Sequence, residues 1–296
     1  MMIQVAILFW VLFFVIAFLY LKYVPASHIH LDSLRQENDR RIARKDRVVW
    51  EKDHWEGGEY MDTPFGQTHY YILGPKSGPK LVFIHGITAA SPCFPQFIQG
   101  LADKGYRVLT YDLFGRGFSD APGVHYNQGL YTSQAYFLVS KLKWERFHLV
   151  GLSLGGAIAT HFATHFPEMI EELSLIAPAG LLNSLPPIAT VLQTPFIGPI
   201  FWHALGRNIL INISESNYIP EKRTSEVEKC IEMTKYHVQY HPGVMRAYYS
   251  TVQHFPVTGM EKDYKKLETL FGDRVAILWV DFALLKIGKT RQGCSI

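Results

Sequence analysis

Cysteine is scarce in this chain of 296 residues, which carries only Cys93, Cys230 and Cys294. An odd number with no metal-ligand spacing argues against a disulfide framework and against a zinc site, and leaves free thiols in a reducing setting. Charge of one sign is lacking as well: 29 Lys and Arg stand against 26 Asp and Glu, for a net charge of +3. Basic residues do not interleave with aromatics along any one face, which argues against nucleic acid as a partner. No lysine follows Gly115-Arg116-Gly117 and no helix start is signalled there, so these glycines read as a turn after a strand, with no phosphate loop. Histidine is absent from the end of the chain, the last being His254. What is present is a composition 48% hydrophobic and 19% charged, enough for one large core or a core with a small cap.

Met1 to Leu21 is almost wholly apolar, with Gln4 the one strongly polar side chain. At about 1.5 Å per residue such a run reaches across a hydrocarbon core of roughly 30 Å, which predicts a membrane anchor over 1–23. A cleaved signal peptide with its cut near Val24-Pro25-Ala26 is the rival, but no basic residue precedes the run. Lys22, Arg35, Arg40, Arg41, Arg44, Lys45 and Arg47 follow it, so the positive-inside bias places the globular part in the cytosol. Residues 24–54 read as a solvated juxtamembrane helix or linker, and 55–296 as the folded domain. With that orientation the sequon Asn212-Ile213-Ser214 is inert.

The chemistry centres on Gly151-Leu152-Ser153-Leu154-Gly155, behind the apolar run Phe147 to Val150 and ahead of Gly156-Ala157-Ile158-Ala159. Taken alone the pattern is equally a plain turn. As strand, sharp turn and helix, it lifts the Ser153 hydroxyl above the sheet and leaves the Leu154 N–H facing the same space, aided by the helix dipole. Upstream, the strand Lys80 to Ile84 ends in His85-Gly86, where a tight turn frees the Ile87 N–H to point at Ser153 as a second donor. The alternative there is an ordinary turn with a hydrogen-bonded histidine.

Strands and helices alternate through the rest of the chain. A hairpin over Trp55 to Gly74 turns at Pro64-Phe65-Gly66 and forms a sheet edge; further strands are read at Tyr106 to Asp112, at "RFHLVGLS", at "EELSLIAPAG" and at Arg274 to Val280. Helices fall at Phe97 to Lys104, Thr132 to Lys143, the segment after Ser153 up to Pro167, and Glu261 to Phe271. This order predicts an α/β fold with a mostly parallel sheet. The proline- and glycine-punctuated apolar stretch at about 181–256 reads as an inserted helical cap, with core packing against the sheet as the alternative.

Three segments, "LVFIHGI", "YRVLTYDLFGRGFSDAP" and "LVGLSLGGAIA", resemble in this order the α/β-hydrolase superfamily, and in particular its membrane-associated monoacylglycerol lipase and esterase-like branch. The resemblance covers roughly Glu59 to Val280. It implies Ser153 as nucleophile, Ile87 and Leu154 as oxyanion donors, a lipid or small acyl-ester substrate, and no metal or organic cofactor. Serine at the elbow is unlike the epoxide-hydrolase and dehalogenase branches, which place aspartate there.

The carboxyl end departs from that pattern. The family places its acid at position 283, which is alanine here; Asp281 is the only carboxylate after Trp279, and no histidine follows it. Asp281 is therefore the candidate acid and no catalytic histidine is found, His85, His161 and His165 being the substitutes to consider. Loss of the family's last strand and helix is the other reading. Two expectations result: a membrane-anchored serine hydrolase of acyl esters, or an impaired member of the fold that binds lipid or protein without turnover.

Overall fold

The structure, a computed structural model, describes residues 9–15, 17–18, 31, 33–44, 49–50, 55–181, 184–216, 218, 220–281 and 286–287. Beyond the helical residues near the start of the chain, helix α1 (Leu34–Ala43) is started by a capping box in which the Ser33 side chain and Gln36 serve each other's backbone. The hairpin β1 (Glu59–Thr63) and β2 (Gly66–Leu73) follows, turning at Pro64-Phe65, and then β3 (Lys80–Ile84), α2 (Pro95–Asp103), β4 (Arg107–Tyr111), α3 (Gln128–Lys141) and β5 (Phe147–Leu152). The chain continues through α4 (Leu154–His165), β6 (Ile170–Ile176), four helices α5 (Pro187–Gln193), α6 (Ile197–Ser216), α7 (Ser225–Tyr240) and α8 (Val244–His254), then α9 (Glu261–Phe271), β7 (Val275–Leu278), β8 (Val280–Asp281) and β9 (Lys286–Ile287).

Seven strands form one sheet in the order β1-β2-β4-β3-β5-β6-β7. From β4 to β7 every neighbour is parallel, while β1 and β2 run antiparallel at one edge. Because side chains alternate across a strand, β3 feeds two layers. Val82 and Ile84 join the cluster built with α3, α4 and α9, whereas Leu81 and Phe83 pack with Ile98 and Ala102 of α2. At roughly 1.5 to 3 kcal/mol for each fully buried large apolar side chain, these two layers carry the fold. The four helices between β6 and α9 hold a cluster of their own around Ala189, Leu192, Trp202, Leu210, Val238 and Val252.

No strand joins the outer side of β7 among the described residues; β8 and β9 form a separate two-stranded hairpin. Val275, Ile277 and Leu278 are accordingly only half-buried and Trp279 is 49% exposed.

Two expectations are corrected. The anchor predicted over 1–23, and the membrane placement drawn from it, are not supported, because among the described residues no helix is long and apolar enough to cross a membrane. Only 9–15 and 17–18 of that stretch are described, as helix, and about ten residues at about 1.5 Å reach half of a bilayer core; the remainder lies outside the described residues. The stretch read as a solvated linker is in part packed: Leu34 and Trp50 are buried, Asn38 donates to the Trp50 carbonyl, and Tyr236 of α7 donates to Asn38 Oδ1 at 2.7 Å. Trp50 and Leu34 share a core with Phe118, Met233 and Tyr236, so burial of apolar side chains overrides the polar composition around them.

Candidate active site

Ser153 joins the end of β5 to α4 with φ +54 and ψ −115, one of four non-glycine residues at positive φ among those described. Such a conformation costs on the order of 1 to 3 kcal/mol and persists only where its surroundings over-determine it. Here the Ser153 N–H donates to the Ile176 carbonyl at 2.9 Å, and the Ser153 carbonyl accepts from Gly156, Ala157 and Ala179. The flanking glycines let α4 press onto the strands. A Cβ on Gly151 would fall 2.3 Å from the Gly155 carbonyl oxygen, one on Gly155 2.1 Å from that of Ile84, and one on Gly156 2.7 Å from Pro178 Cβ.

The parallel register sets Ile84 beside Gly151, so the loop leaving β3 emerges next to the elbow. Gly86 lies against the serine: a Cβ there would sit 3.5 Å from Ser153 Cβ and 4.0 Å from its Oγ. Among the described residues, neither the Ile87 N–H nor the Leu154 N–H donates to a protein acceptor. Leu154 is buried and opens α4, where orphan amides and the helix dipole favour an anion. Ile87 packs both on the main core and on the apolar cluster of the four inserted helices, which brings that cluster over the loop.

The histidines considered as substitutes are committed elsewhere. His85 is fully buried; its Nδ1–H donates to the Gly86 carbonyl at 2.7 Å and its Nε2 accepts from the Leu113 N–H at 3.0 Å. Burial pushes it down to about 4, against the pull of Asp112, so it is a neutral structural imidazole. His161 pairs with Thr132 Oγ1 and stacks on His165, whose Nδ1–H donates to the His161 carbonyl. Among the described residues Ser153 Oγ hydrogen-bonds to no imidazole. Asp281 stands in β8 opposite Lys286, just beyond the end of β7; position 283 lies outside the described residues. No group of three or more His, Cys, Asp or Glu that could hold a metal occurs among the described residues.

The turn Gly115-Arg116-Gly117 proves to be the hub beneath this site, a role the sequence did not signal. Asp112, buried with its carboxyl held below the usual range by His69 and by backbone donors despite the cost of burial, accepts from the amides of Ser91 and Phe118. Gly117 has φ +52, and a Cβ there would strike Asp112 Oδ2 at 2.2 Å. Arg116 is fully buried; its guanidinium donates to the carbonyls of Ile87 and Phe114 and to the hydroxyls of Tyr131 and Thr251. His237 accepts from the Gly117 amide and His241 donates to the Ser119 carbonyl, tying α7 and the segment after it to the same turn.

A strained serine at a strand-to-helix turn, on a sheet of this order, defines an α/β hydrolase fold. A family model described as alpha/beta hydrolase fold matches residues 79–209. The chain is 34% identical over 127 residues to a serine hydrolase-like protein of Homo sapiens, covering 42% of this chain and 62% of that one. It is 31% identical over 121 residues to an uncharacterized carboxylesterase of Bacillus subtilis, covering 40% of each. The crystal structure of an enol-lactonase from Burkholderia xenovorans superposes with a TM-score of 0.60 at 17% identity, over 75% of this chain and 91% of that one. The chain has the α/β-hydrolase fold, and its residues 79–209 carry the match to that superfamily's family model. Its matches span 32% to 62% of the length of these curated relatives and of an uncharacterized Mycobacterium tuberculosis protein.

Proposed function

We propose that the chain is a serine hydrolase of the esterase type acting on acyl esters, lipid esters among them. Ser153 Oγ adds to the acyl carbon, and the resulting oxyanion takes the N–H groups of Ile87 and Leu154. The alcohol leaves, and water releases the acyl group from the serine. The apolar cluster against Ile87 suits an apolar acyl chain. Asp281 is the carboxylate this reading assigns as the acid. The observation that supports it is a strained Ser153 with Gly86 against its side chain, next to amides at Ile87 and Leu154 that donate to no protein acceptor among the described residues. The curated relatives named as serine hydrolase-like and as a carboxylesterase support the same class.

One observation favours a second reading, in which the site binds acyl esters without turning them over: no described histidine meets Ser153. Losing the base from such a triad costs on the order of 10⁶ in rate and leaves roughly 10³ to 10⁴ over water from the oxyanion donors. A fluorophosphonate probe separates the two. Covalent labelling that disappears in Ser153→Ala, with slow hydrolysis of p-nitrophenyl butyrate lost in the same variant, supports the hydrolase. Equal behaviour of wild type and Ser153→Ala overturns it.

A further inference from the structure

Two cysteines far apart in the sequence meet beneath the inserted helices. Cys93 closes the short 3-10 turn Ser91–Cys93, in the same loop between β3 and α2 that carries Ile87, and Cys230 lies on α7. Both are free, buried thiols, and both meet Thr234 of α7. Cys93 Sγ is 3.8 Å from Thr234 Oγ1, whose hydroxyl donates to the Cys230 carbonyl at 2.8 Å, one helical turn along α7. The Tyr218 hydroxyl lies 3.5 Å from Cys230 Sγ. Neither residue is sealed off, Cys93 keeping 9% and Cys230 5% of its accessible surface.

We propose that Cys93 and Cys230 form an oxidisable thiol pair that closes to a disulfide on exposure to a peroxide and so clamps α7 to the loop between β3 and α2. The two sulfurs divide the work. The Tyr218 hydroxyl, 3.5 Å from Cys230 Sγ, can donate to a thiolate there, which assigns Cys230 as the sulfur that reacts first. Cys230 as thiolate attacks one peroxide oxygen, the O–O bond breaks, and the departing hydroxide takes up a proton to become water, leaving a sulfenic acid. Cys93 then attacks that sulfur, the S–O bond breaks, and its proton leaves with the hydroxide as a second water. Two thiols lose two electrons to one peroxide. A dithiol such as dithiothreitol reverses the step by exchange.

Full-length protein carrying Cys294→Ser, treated with hydrogen peroxide and then with N-ethylmaleimide, tests this. The expected result is loss of both titratable thiols, a peptide linking Cys93 to Cys230 by mass spectrometry, and recovery of both with dithiothreitol. Closing a loop of more than about 100 residues raises Tm by about 5 to 10 °C. With Cys93→Ser added, oxidation stops at a dimedone-reactive sulfenic acid on Cys230. Two thiols still titratable after treatment, a bridge that forms only in denaturant, or sulfenic acid confined to Cys93 overturns the proposal. None of these readouts depends on ester hydrolysis.

Discussion

Arg116 Nε donates to the carbonyl of Ile87 at 3.2 Å, so a fully buried cation holds the loop that carries Ile87, whose amide donates to no protein acceptor among the described residues. The same guanidinium reaches Tyr131 of α3 and Thr251 of α8, and Tyr131 and Thr251 hydroxyls lie 2.7 Å apart. No carboxylate ion-pairs with it among the described residues, so its charge is balanced by dipoles alone. A group so costly to bury stays because several acceptors need it.

Arg116→Met is therefore expected to lower stability by about 2 to 4 kcal/mol and to slow fluorophosphonate labelling of Ser153. Arg116→Lys restores neither, since one ammonium cannot span four acceptors. Urea unfolding and labelling rates on the same samples check both parts, and wild-type labelling by a folded Arg116→Met protein sinks the positioning role.

Two glycine substitutions should separate folding from reactivity. Gly86→Ala places a methyl in ordinary contact with Ser153 and should leave Tm within a few degrees while cutting labelling about tenfold or more. Gly155→Ala drives a Cβ into the Ile84 carbonyl and should destabilise by more than about 4 kcal/mol. Similar Tm losses for both variants contradict this account.

Acid should unfold the protein early. Burial holds His85 and His241 at about 4 and His237 further below the ordinary value. These imidazoles are neutral when folded and take up protons near 6.5 when unfolded, so their stabilising effect is complete above about pH 6.5 and is lost as pH falls toward 4. Three such groups give a slope approaching about 4 kcal/mol per pH unit, enough to exhaust a typical 5 to 15 kcal/mol within a few units. Urea midpoints between pH 7.5 and 4.5 measure it; a flat profile from pH 7 to 5 refutes it.

Periodicity and punctuation made most elements legible. The strand Lys80 to Ile84 and the helix Glu261 to Phe271 fall as read, and the elbow was visible because only glycines tolerate its contacts. The turn at Arg116 was read as structural without its partners, since nothing local tells that a guanidinium will be enclosed by α3 and α8. Likewise His85 was weighed as a base when its two ring nitrogens are already spent. Asn38 and Tyr236 show the same limit: their hydrogen bond joins residues that no sequence window contains together.

The four inserted helices leave and rejoin the sheet at a single seam. Gly180, at φ +101, receives the Met260 amide on its carbonyl and gives its own N–H to Val257, so departure and return are stitched side by side. One step before it, Ala179 donates to the carbonyl of Ser153. Main-chain bonds thus run from both ends of the inserted segment through Gly180 and Ala179 to Ser153, so a shift at either end is passed to the residue that carries the elbow hydroxyl.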